Sequence, residues 1–123
     1  MVDRRQMLGR RGEEHAADYL RGLGWRILER NWRCREGEVD IIAHDPETGA
    51  LVVVEVKTRA GTGYGSPLEA ITHAKAHRLR RLAAIYARDN WAGTRRLRVD
   101  AIGLVWPLGG RAILTHVRGI EAP

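Results

Sequence analysis

Residues 37–43 read GEVDIIA, and residues 51–57 read LVVVEVK. Both runs have the apolar and β-branched composition of buried strands. Each run nevertheless carries charge, because Asp40 interrupts the first while Glu55 and Lys57 interrupt the second. A charged carboxylate in an apolar run is costly unless a metal ion, a partner or a bound proton compensates it. Asp40, Glu55 and Lys57 therefore indicate a functional site within the predicted sheet.

The sequence DPETG between the two runs has proline and glycine where a tight hairpin favours them. If Asp45 pairs with Ala50, Asp40 lies directly opposite Glu55, with the two Cβ atoms about 5 Å apart. A bulge or a shorter loop would instead turn Asp40 to the opposite face of the sheet. The hairpin thus predicts a facing carboxylate pair in one register only.

Two facing carboxylates repel each other, but their oxygens can converge on one divalent cation. Side chains alternate along a strand, so Lys57 points to the same face as Glu55, roughly 6.6 Å further along. The expected site therefore combines two acids and an ammonium group around a position for a cation.

The composition favours one domain spanning residues 1–123. No apolar stretch approaches the roughly 20 residues that cross a bilayer, and the first residues lack a secretory apolar region. Cys34 is the only cysteine, which excludes an internal disulfide and a cysteine zinc cluster. We expect a cytoplasmic protein without a membrane segment.

The positive charge is divided very unevenly between the two basic residue types. The net charge is +6, which favours a polyanionic partner such as nucleic acid. Of the 21 basic residues, only Lys57 and Lys75 are lysines. Because the pKa of lysine shifts more readily than that of arginine, a lysine kept beside two carboxylates indicates a specific role.

Periodicity and capping signals predict the remaining elements of an α/β fold. SPLE at residues 66–69 is a capping box with proline at the first helical position. The predicted elements are a helix over residues 11–23, a strand over 25–32, a helix from 66 to about 90 that is either continuous or broken, and strands over 96–106 and 111–117. The strand over 25–32 and the two central runs form a three-stranded antiparallel meander.

Several polar residues have two interpretations each. Glu14, early in the first helix, is either solvated, which the residues alone favour, or a further acid of the site. Asp100 is either an acid that supports the site or an exposed residue at a sheet edge. The glycine-rich loop over residues 58–65 either folds over substrate or is a plain connection.

Aromatic and basic surface residues also leave alternatives open. The polar face of the second helix, which includes Lys75, Arg78 and Arg81, either is solvated or contacts phosphates. The tryptophans and Tyr64 could stack on bases, but no aromatic platform is evident in the sequence.

Five sequence blocks resemble the bacterial YraN family over roughly residues 9 to 105. They are GEE at 12–14, RNWRC at 30–34, GEVD at 37–40, VEVKTR at 54–59 and SPLEA at 66–70. That family is similar to Holliday junction resolvases and to the PD-(D/E)XK nucleases, which implies a restriction-endonuclease-like fold, a mixed β-sheet flanked by α-helices.

The resemblance also implies roles for individual residues. It makes Asp40 and Glu55 ligands of Mg2+ or Mn2+, Lys57 the lysine that positions or polarises the attacking water, and Glu14 a helix-borne acid of the site. Nucleic-acid contacts are expected from four basic residues, Arg59, Lys75, Arg78 and Arg81. The resolvase similarity further implies a homodimer, because resolving a junction requires two active sites.

Three function classes follow from the sequence. The first is a metal-dependent endonuclease acting on DNA, with branched repair or recombination intermediates among its candidate substrates. The second is a non-catalytic nucleic-acid-binding or adaptor protein on a nuclease fold. The third, a basic domain that binds acidic proteins, explains the charge but leaves the carboxylate pair unexplained.

Overall fold

The computed structural model describes residues 3–61, 63, 65–90 and 96–120. The elements in chain order are α1 (Arg4–Gly22), β1 (Arg26–Cys34), β2 (Gly37–Asp45), β3 (Ala50–Arg59), a 3₁₀ helix (Pro67–Ala70), α2 (His73–Asn90), β4 (Leu97–Val105) and β5 (Ile113–Val117). The predicted α/β class is therefore confirmed.

The strands form one sheet in the order β1-β2-β3-β4-β5. Strands β1, β2 and β3 are the predicted antiparallel meander, β3 and β4 are parallel, and β5 returns antiparallel to β4. A parallel neighbour requires a crossover connection, which the 3₁₀ helix and α2 provide. Helix α1 packs on one face and α2 on the other. The mixed sheet flanked by helices is the predicted architecture.

Strand β3 lies at the centre of the core. Val52 and Val54 pack toward α1, whereas Leu51 and Val53 pack toward α2, and all four are fully buried. Both faces of the strand are covered, so its sequence is continuously apolar rather than alternating. Charged Glu55 and Lys57 follow directly on the face that α2 covers.

Asp45 fixes the register of the β2–β3 hairpin. Its buried carboxylate accepts hydrogen bonds from the Glu47 backbone N–H (2.9 Å) and from the Thr48 hydroxyl (3.0 Å), closing the turn. The backbone N–H of Gly49, whose φ is +74°, donates to the Asp45 carbonyl at 2.8 Å. Asp45 pairs with Ala50 as predicted. The side chain of Asp45 thus selects the register on which the facing pair depends.

The helices begin where capping side chains are available. Helix α1 starts at Arg4, seven positions before the predicted start at residue 11, because Asp3 accepts a hydrogen bond from the Arg5 backbone N–H at 3.0 Å. The second helical segment is broken after the SPLE box, since the chain leaves helical geometry at Ile71 and Thr72 caps α2. Among the described residues, neither helix is long and apolar enough to cross a membrane.

Close packing at Gly12 sets the distance between α1 and β3. A Cβ atom at Gly12 would lie 1.9 Å from Thr58 Oγ1 and 2.9 Å from Thr58 Cβ, whereas a Cβ atom at Gly9 of the same helix meets nothing within 4 Å. We expect Gly12→Ala to lower the free energy of unfolding by about 1–3 kcal/mol through overpacking. The matched variant Gly9→Ala should raise it by up to about 1 kcal/mol. Urea unfolding of both variants measures the difference, and equal effects would contradict this packing.

Candidate active site

Asp40 and Glu55 face each other where the ladder between β2 and β3 ends. The last paired residues are Ile41 and Val54, so Asp40 and Glu55 come next in the register. Asp40 Oδ2 accepts a hydrogen bond from the Val56 backbone N–H at 2.8 Å, and the two carboxyl groups share a hydrogen bond. Glu55 is only 6% exposed. The hairpin therefore holds a half-buried acid, Asp40, against a buried one, Glu55.

The pair retains a proton at neutral pH. Burial, followed by the hydrogen bond to Glu55 and its negative charge, raises the pKa of Asp40 to about 8. Burial also acts to raise the pKa of Glu55, but the hydrogen bond from Asp40 and the ammonium of Lys75 outweigh it and leave that pKa below its usual value. Asp40 is thus the proton donor to an ionised Glu55.

The two lysines of the chain meet at this pair. Lys75 Nζ lies 2.5 Å from Glu55 Oε2, and the Lys57 side chain is close enough for the two ammonium charges to repel each other. Burial lowers the pKa of Lys57, and the neighbouring Lys75 charge lowers it further against the opposing effect of Glu55. Burial likewise acts to lower the pKa of Lys75, but its bond to Glu55 dominates and raises it. Sequence reasoning placed Lys75 on a phosphate-binding face and missed its ion pair with Glu55.

The helix-borne acid beside the pair is Glu13. Its side chain lines the cavity at the carboxylate pair, and burial, with the charges of Glu55 and Glu38, raises its pKa. Glu14 is 60% exposed and pairs with Arg30 at 3.2 Å. The expectation that Glu14 joins the site is therefore wrong, because the structure places Glu13 there instead.

Helical spacing explains this difference and could have revealed it. Glu13 precedes Ala17 and Leu20 by four and seven positions, and both of those residues are fully buried. At the same spacing Glu14 precedes Asp18 and Arg21, which are exposed. Glu13 thus belongs to the buried stripe of α1 and Glu14 to its polar stripe.

Asn31 supports Glu13 from an unusual backbone conformation. It is the one non-glycine residue with positive φ, 52°, within the described ranges, and its side chain is hydrogen-bonded to Glu13. Pairing of Arg30 with Ile41 and of Trp32 with Val39 puts Asn31 opposite Asp40. Asparagine tolerates the left-handed region better than most residues, and such strain is typical of functional sites.

The carboxylate pair lies in an open cavity of about 520 Å³ between the sheet and α2. Arg78 lines this cavity together with both lysines, and Glu36 and Glu38 lie on its opposite wall. Arg81 is exposed on α2, while Arg59 lines a different cavity at the end of β3. Of the four basic residues predicted to contact nucleic acid, only Lys75 and Arg78 therefore lie at the site. Tyr64, a candidate for stacking on bases, lies outside the described residues.

Asp100 is neither an exposed edge residue nor a neighbour of the carboxylate pair. It is fully buried, so it is not an exposed edge residue. Strand alternation turns it with Ile102 toward α1, whereas Asp40 and Glu55 face α2, so it does not support the site directly. Its partners are Arg98, His116 and the Gly119 backbone N–H. Asp100 anchors the opposite face of the sheet.

The shared proton predicts a pH dependence of stability. Because the pKa of Asp40 is higher in the folded protein than in the unfolded chain, its contribution to stability is full in acid and is lost as the pH rises toward about 8. Asp40→Asn removes this titration. In EDTA, the free energy of unfolding of the variant minus that of wild type should therefore rise between about pH 5 and pH 8, by no more than about 1.4 kcal/mol per pH unit. Denaturant titrations at several pH values measure this difference in the free energy of unfolding. The exposed Asp18→Asn is the control. A difference between Asp40→Asn and wild type that does not change with pH would refute the shared proton.

The donor atoms of the site suit a hard divalent cation. Among the described residues, no three His, Cys, Asp or Glu side chains are already arranged as a metal site. The carboxyl groups of Asp40 and Glu55 are nevertheless in hydrogen-bonding contact, with Glu13 in the same cavity. Carboxylate oxygens are the ligands that Mg2+ and Mn2+ prefer, and a cation that replaces the shared proton removes the repulsion within the pair.

Comparison with known proteins identifies the family. The model described as "Uncharacterised protein family UPF0102" matches residues 12–104, which include the carboxylate pair and Lys57. A UPF0102 protein of Clavibacter michiganensis is 52% identical over 95% of this chain and 98% of its own length. One from Mycobacterium tuberculosis is 50% identical over 94% of this chain and 93% of its own.

Among solved structures, SfsA of Pyrococcus furiosus in complex with Ca2+ matches 95% of this chain with a TM-score of 0.42 and 17% sequence identity; this chain spans 65% of that one. The family match and the curated relatives agree, and they confirm the resemblance to the YraN family. The chain belongs to the UPF0102 family.

Proposed function

We propose that this protein is a divalent-cation-dependent nuclease that hydrolyses phosphodiester bonds in DNA. The observation that carries the proposal is the pairing of half-buried Asp40 with buried Glu55, which share a proton beside two lysines in an open cavity. Two acids are seldom placed in contact for structural reasons alone, because they repel each other when both are ionised and this repulsion lowers stability. The net charge of +6 supports a polyanionic substrate.

Mg2+ or Mn2+ would be held by Asp40 and Glu55, with Glu13 as a further acid in the same cavity whose charge acts on Asp40. When bound, the cation supplies Lewis acidity that offsets the negative charge developing on the phosphate. Lys57 stands on the same strand face and donates hydrogen bonds to the attacking water or to a phosphate oxygen. Its lowered pKa makes it a better proton donor than an ordinary lysine.

Basic residues around the cavity would hold the DNA backbone. Arg78 lines the cavity, and Arg81 is exposed on the same helix, so both can contact phosphates. Lys75 balances the charge of Glu55 in the absence of a cation. Cutting both strands of a branched junction symmetrically requires a second copy of the site, and we propose a two-fold homodimer for that reaction.

One observation favours a second candidate, a non-catalytic nucleic-acid-binding or adaptor protein. Lys75 already neutralises Glu55, and the described residues contain no preformed group of three metal donors. Such a protein would bind DNA with a steep salt dependence and cleave nothing.

Cleavage of labelled DNA tests the proposal. Linear, flapped and four-way substrates are incubated with Mn2+, Mg2+ or EDTA, with Asp40→Asn as the inactive control for contaminating nuclease. Glu13→Gln and Glu14→Gln form a matched pair, and only the first should reduce cleavage, by about 10-fold or more. Equal cutting by wild type and Asp40→Asn would reject the assignment. Salt-sensitive binding without cutting would favour the non-catalytic nucleic-acid-binding protein, and neither binding nor cutting would favour the adaptor. Light scattering with and without junction DNA measures the dimer.

A further inference from the structure

A second cleft lies beyond the end of β3, between the first turns of α1 and the β4–β5 connection. It consists of two adjoining cavities of about 690 and 760 Å³ that share Leu8 and Ala60 in their walls. Its residues are distinct from those that line the carboxylate cavity. The cleft is therefore a separate feature of the surface, and the sequence did not reveal it.

The charge of this cleft has one sign. Arg4, Arg5, Arg11 and Arg59 line it, and no Asp or Glu does so among the described residues. None of these four guanidinium groups makes a salt bridge with any residue that the structure describes. Arginines elsewhere, such as Arg98, are paired with acids. Four uncompensated cations around one concave surface favour a polyanion.

An aromatic ring of the β4–β5 connection packs against helix α1 in this cleft. The Arg11 guanidinium carbon lies 4.2 Å from the centroid of the Trp106 ring, and His15 meets the same ring edge to face at 5.2 Å. The Trp106 indole N–H donates to the Gly110 carbonyl at 3.2 Å, which fixes the ring on the hairpin connection. Leu108, beside it, is 99% exposed. An arginine stacked on a tryptophan is a platform on which an unpaired base can stack.

The cleft is coupled to the candidate active site through two elements. The Trp106 backbone N–H donates to the Arg59 carbonyl at 2.7 Å, and Arg59 follows Lys57 by two residues, or about 6.6 Å along the strand. On α1, Arg11 and Glu13 are likewise two residues apart, one lining each cavity. A nucleic-acid strand that passes the carboxylate pair therefore reaches the arginines within a short distance.

We propose that this cleft binds a single-stranded nucleic-acid segment adjoining the phosphodiester that is cut, with one base stacked at Trp106 and Arg11 and the phosphates held by Arg4, Arg5 and Arg59. The location of the cut rests on the proposed nuclease function; the binding of single strands does not. Bases in a duplex hide their faces in the stack, so the half-exposed ring of Trp106 selects unpaired bases. The substrate class is then DNA with a single-stranded arm, such as a flap or an overhang, rather than blunt duplex.

Fluorescence anisotropy in EDTA, where cleavage cannot interfere, tests the proposal with a labelled oligothymidine and a blunt duplex. Trp106→Ala should weaken binding to the single strand by about tenfold or more and change duplex binding by less than about twofold, while Trp106→Phe should retain most of the affinity. Arg11→Gln should weaken single-strand binding and lower its salt slope by about 1, whereas the matched Arg88→Gln on the far end of α2 should not.

Thermal unfolding checks that each variant folds, and Arg11→Gln keeps the test decisive if Trp106→Ala does not. Equal losses on single strand and duplex, or no loss in either variant, would overturn the proposal. The same titration with Asp40→Asn separates the two claims. Tight single-strand binding without any cleavage by wild type would reject the nuclease and retain the cleft.

Discussion

Glu55→Gln is expected to lower the rate of metal-dependent DNA cleavage by about three orders of magnitude, because it removes the one ionised ligand of the carboxylate pair. The amide keeps the size of the side chain but cannot carry the negative charge that holds Lys75 at 2.5 Å and that attracts a cation. Single-turnover cleavage with saturating Mn2+ measures the loss. DNA binding in EDTA should not weaken, because the substitution removes a negative charge from a cavity that also holds Lys57, Lys75 and Arg78.

The matched control for this substitution is Glu47→Gln. Glu47 lies in the turn of the same hairpin, is exposed and makes a long contact of 3.6 Å with Arg118. The Glu47→Gln variant should cleave DNA at the wild-type rate. A Glu55→Gln protein that folds and cleaves at the wild-type rate would remove Glu55 from the reaction.

Asp100→Asn is expected to produce the largest loss of stability, about 3 kcal/mol in the free energy of unfolding. Asp100 is fully buried and accepts two hydrogen bonds from the Arg98 guanidinium, at 2.8 and 3.1 Å, and one from the Gly119 backbone N–H. His116 Nε2 lies 2.8 Å from the same carboxylate. The amide would leave Arg98 with a single remaining acid, Asp45, and a buried positive charge incompletely balanced.

Thermal unfolding should detect this change as a fall in Tm of roughly 10–15 °C. The matched variant is Asp89→Asn, which breaks an Asp–Arg pair of similar length on the exposed end of α2, with Arg88 Nε at 2.9 Å, and it should leave Tm unchanged. The contrast isolates burial as the cause. A similar Tm for both variants would mean that the Asp100 network contributes little to stability.

The same network explains why the sheet and the hairpin act as one unit. Arg98 joins Asp100 on β4 to Asp45 in the β2–β3 turn, and Asp45 sets the register of the facing pair. The pKa values of Asp45 and Asp100 are both below the usual value: burial acts to raise each, but hydrogen bonds from the Glu47 backbone N–H to Asp45 and from His116 and Arg98 to Asp100 outweigh it. Both acids therefore remain ionised at neutral pH, in contrast to Asp40 on the other face of the sheet.

The central hairpin could be predicted because its signals are local. Proline and glycine set the turn, and continuous Val and Leu residues set a strand buried on both faces, so the facing Asp40 and Glu55 followed from the register alone. The parallel placement of β4 and the side chains it brings to the core depend on the path of α2 over the sheet. The sequence therefore does not predict that Asp100 is buried on the α1 face of the sheet with Arg98 and His116 as partners.

Contacts between distant elements account for the other differences. Lys75 was recognised as one of two lysines, but its ion pair with Glu55 depends on how α2 crosses β3. Trp106 becomes a stacking platform only because Arg11, 95 residues earlier in the chain, lies against it. Glu13 differs, since helical spacing from the buried Ala17 and Leu20 was already present in the sequence and could have distinguished it from Glu14.

Calorimetric titration of the protein with Mn2+ tests the central claim most directly, because it requires no knowledge of the preferred DNA. Near pH 8, where the shared proton is easily displaced, wild type should bind one Mn2+ per chain in the micromolar to millimolar range, and Asp40→Asn should bind at least about tenfold more weakly. Wild-type protein that binds no Mn2+ at millimolar concentration, or an Asp40→Asn variant that binds as tightly as wild type, would contradict a cation site at the Asp40–Glu55 pair.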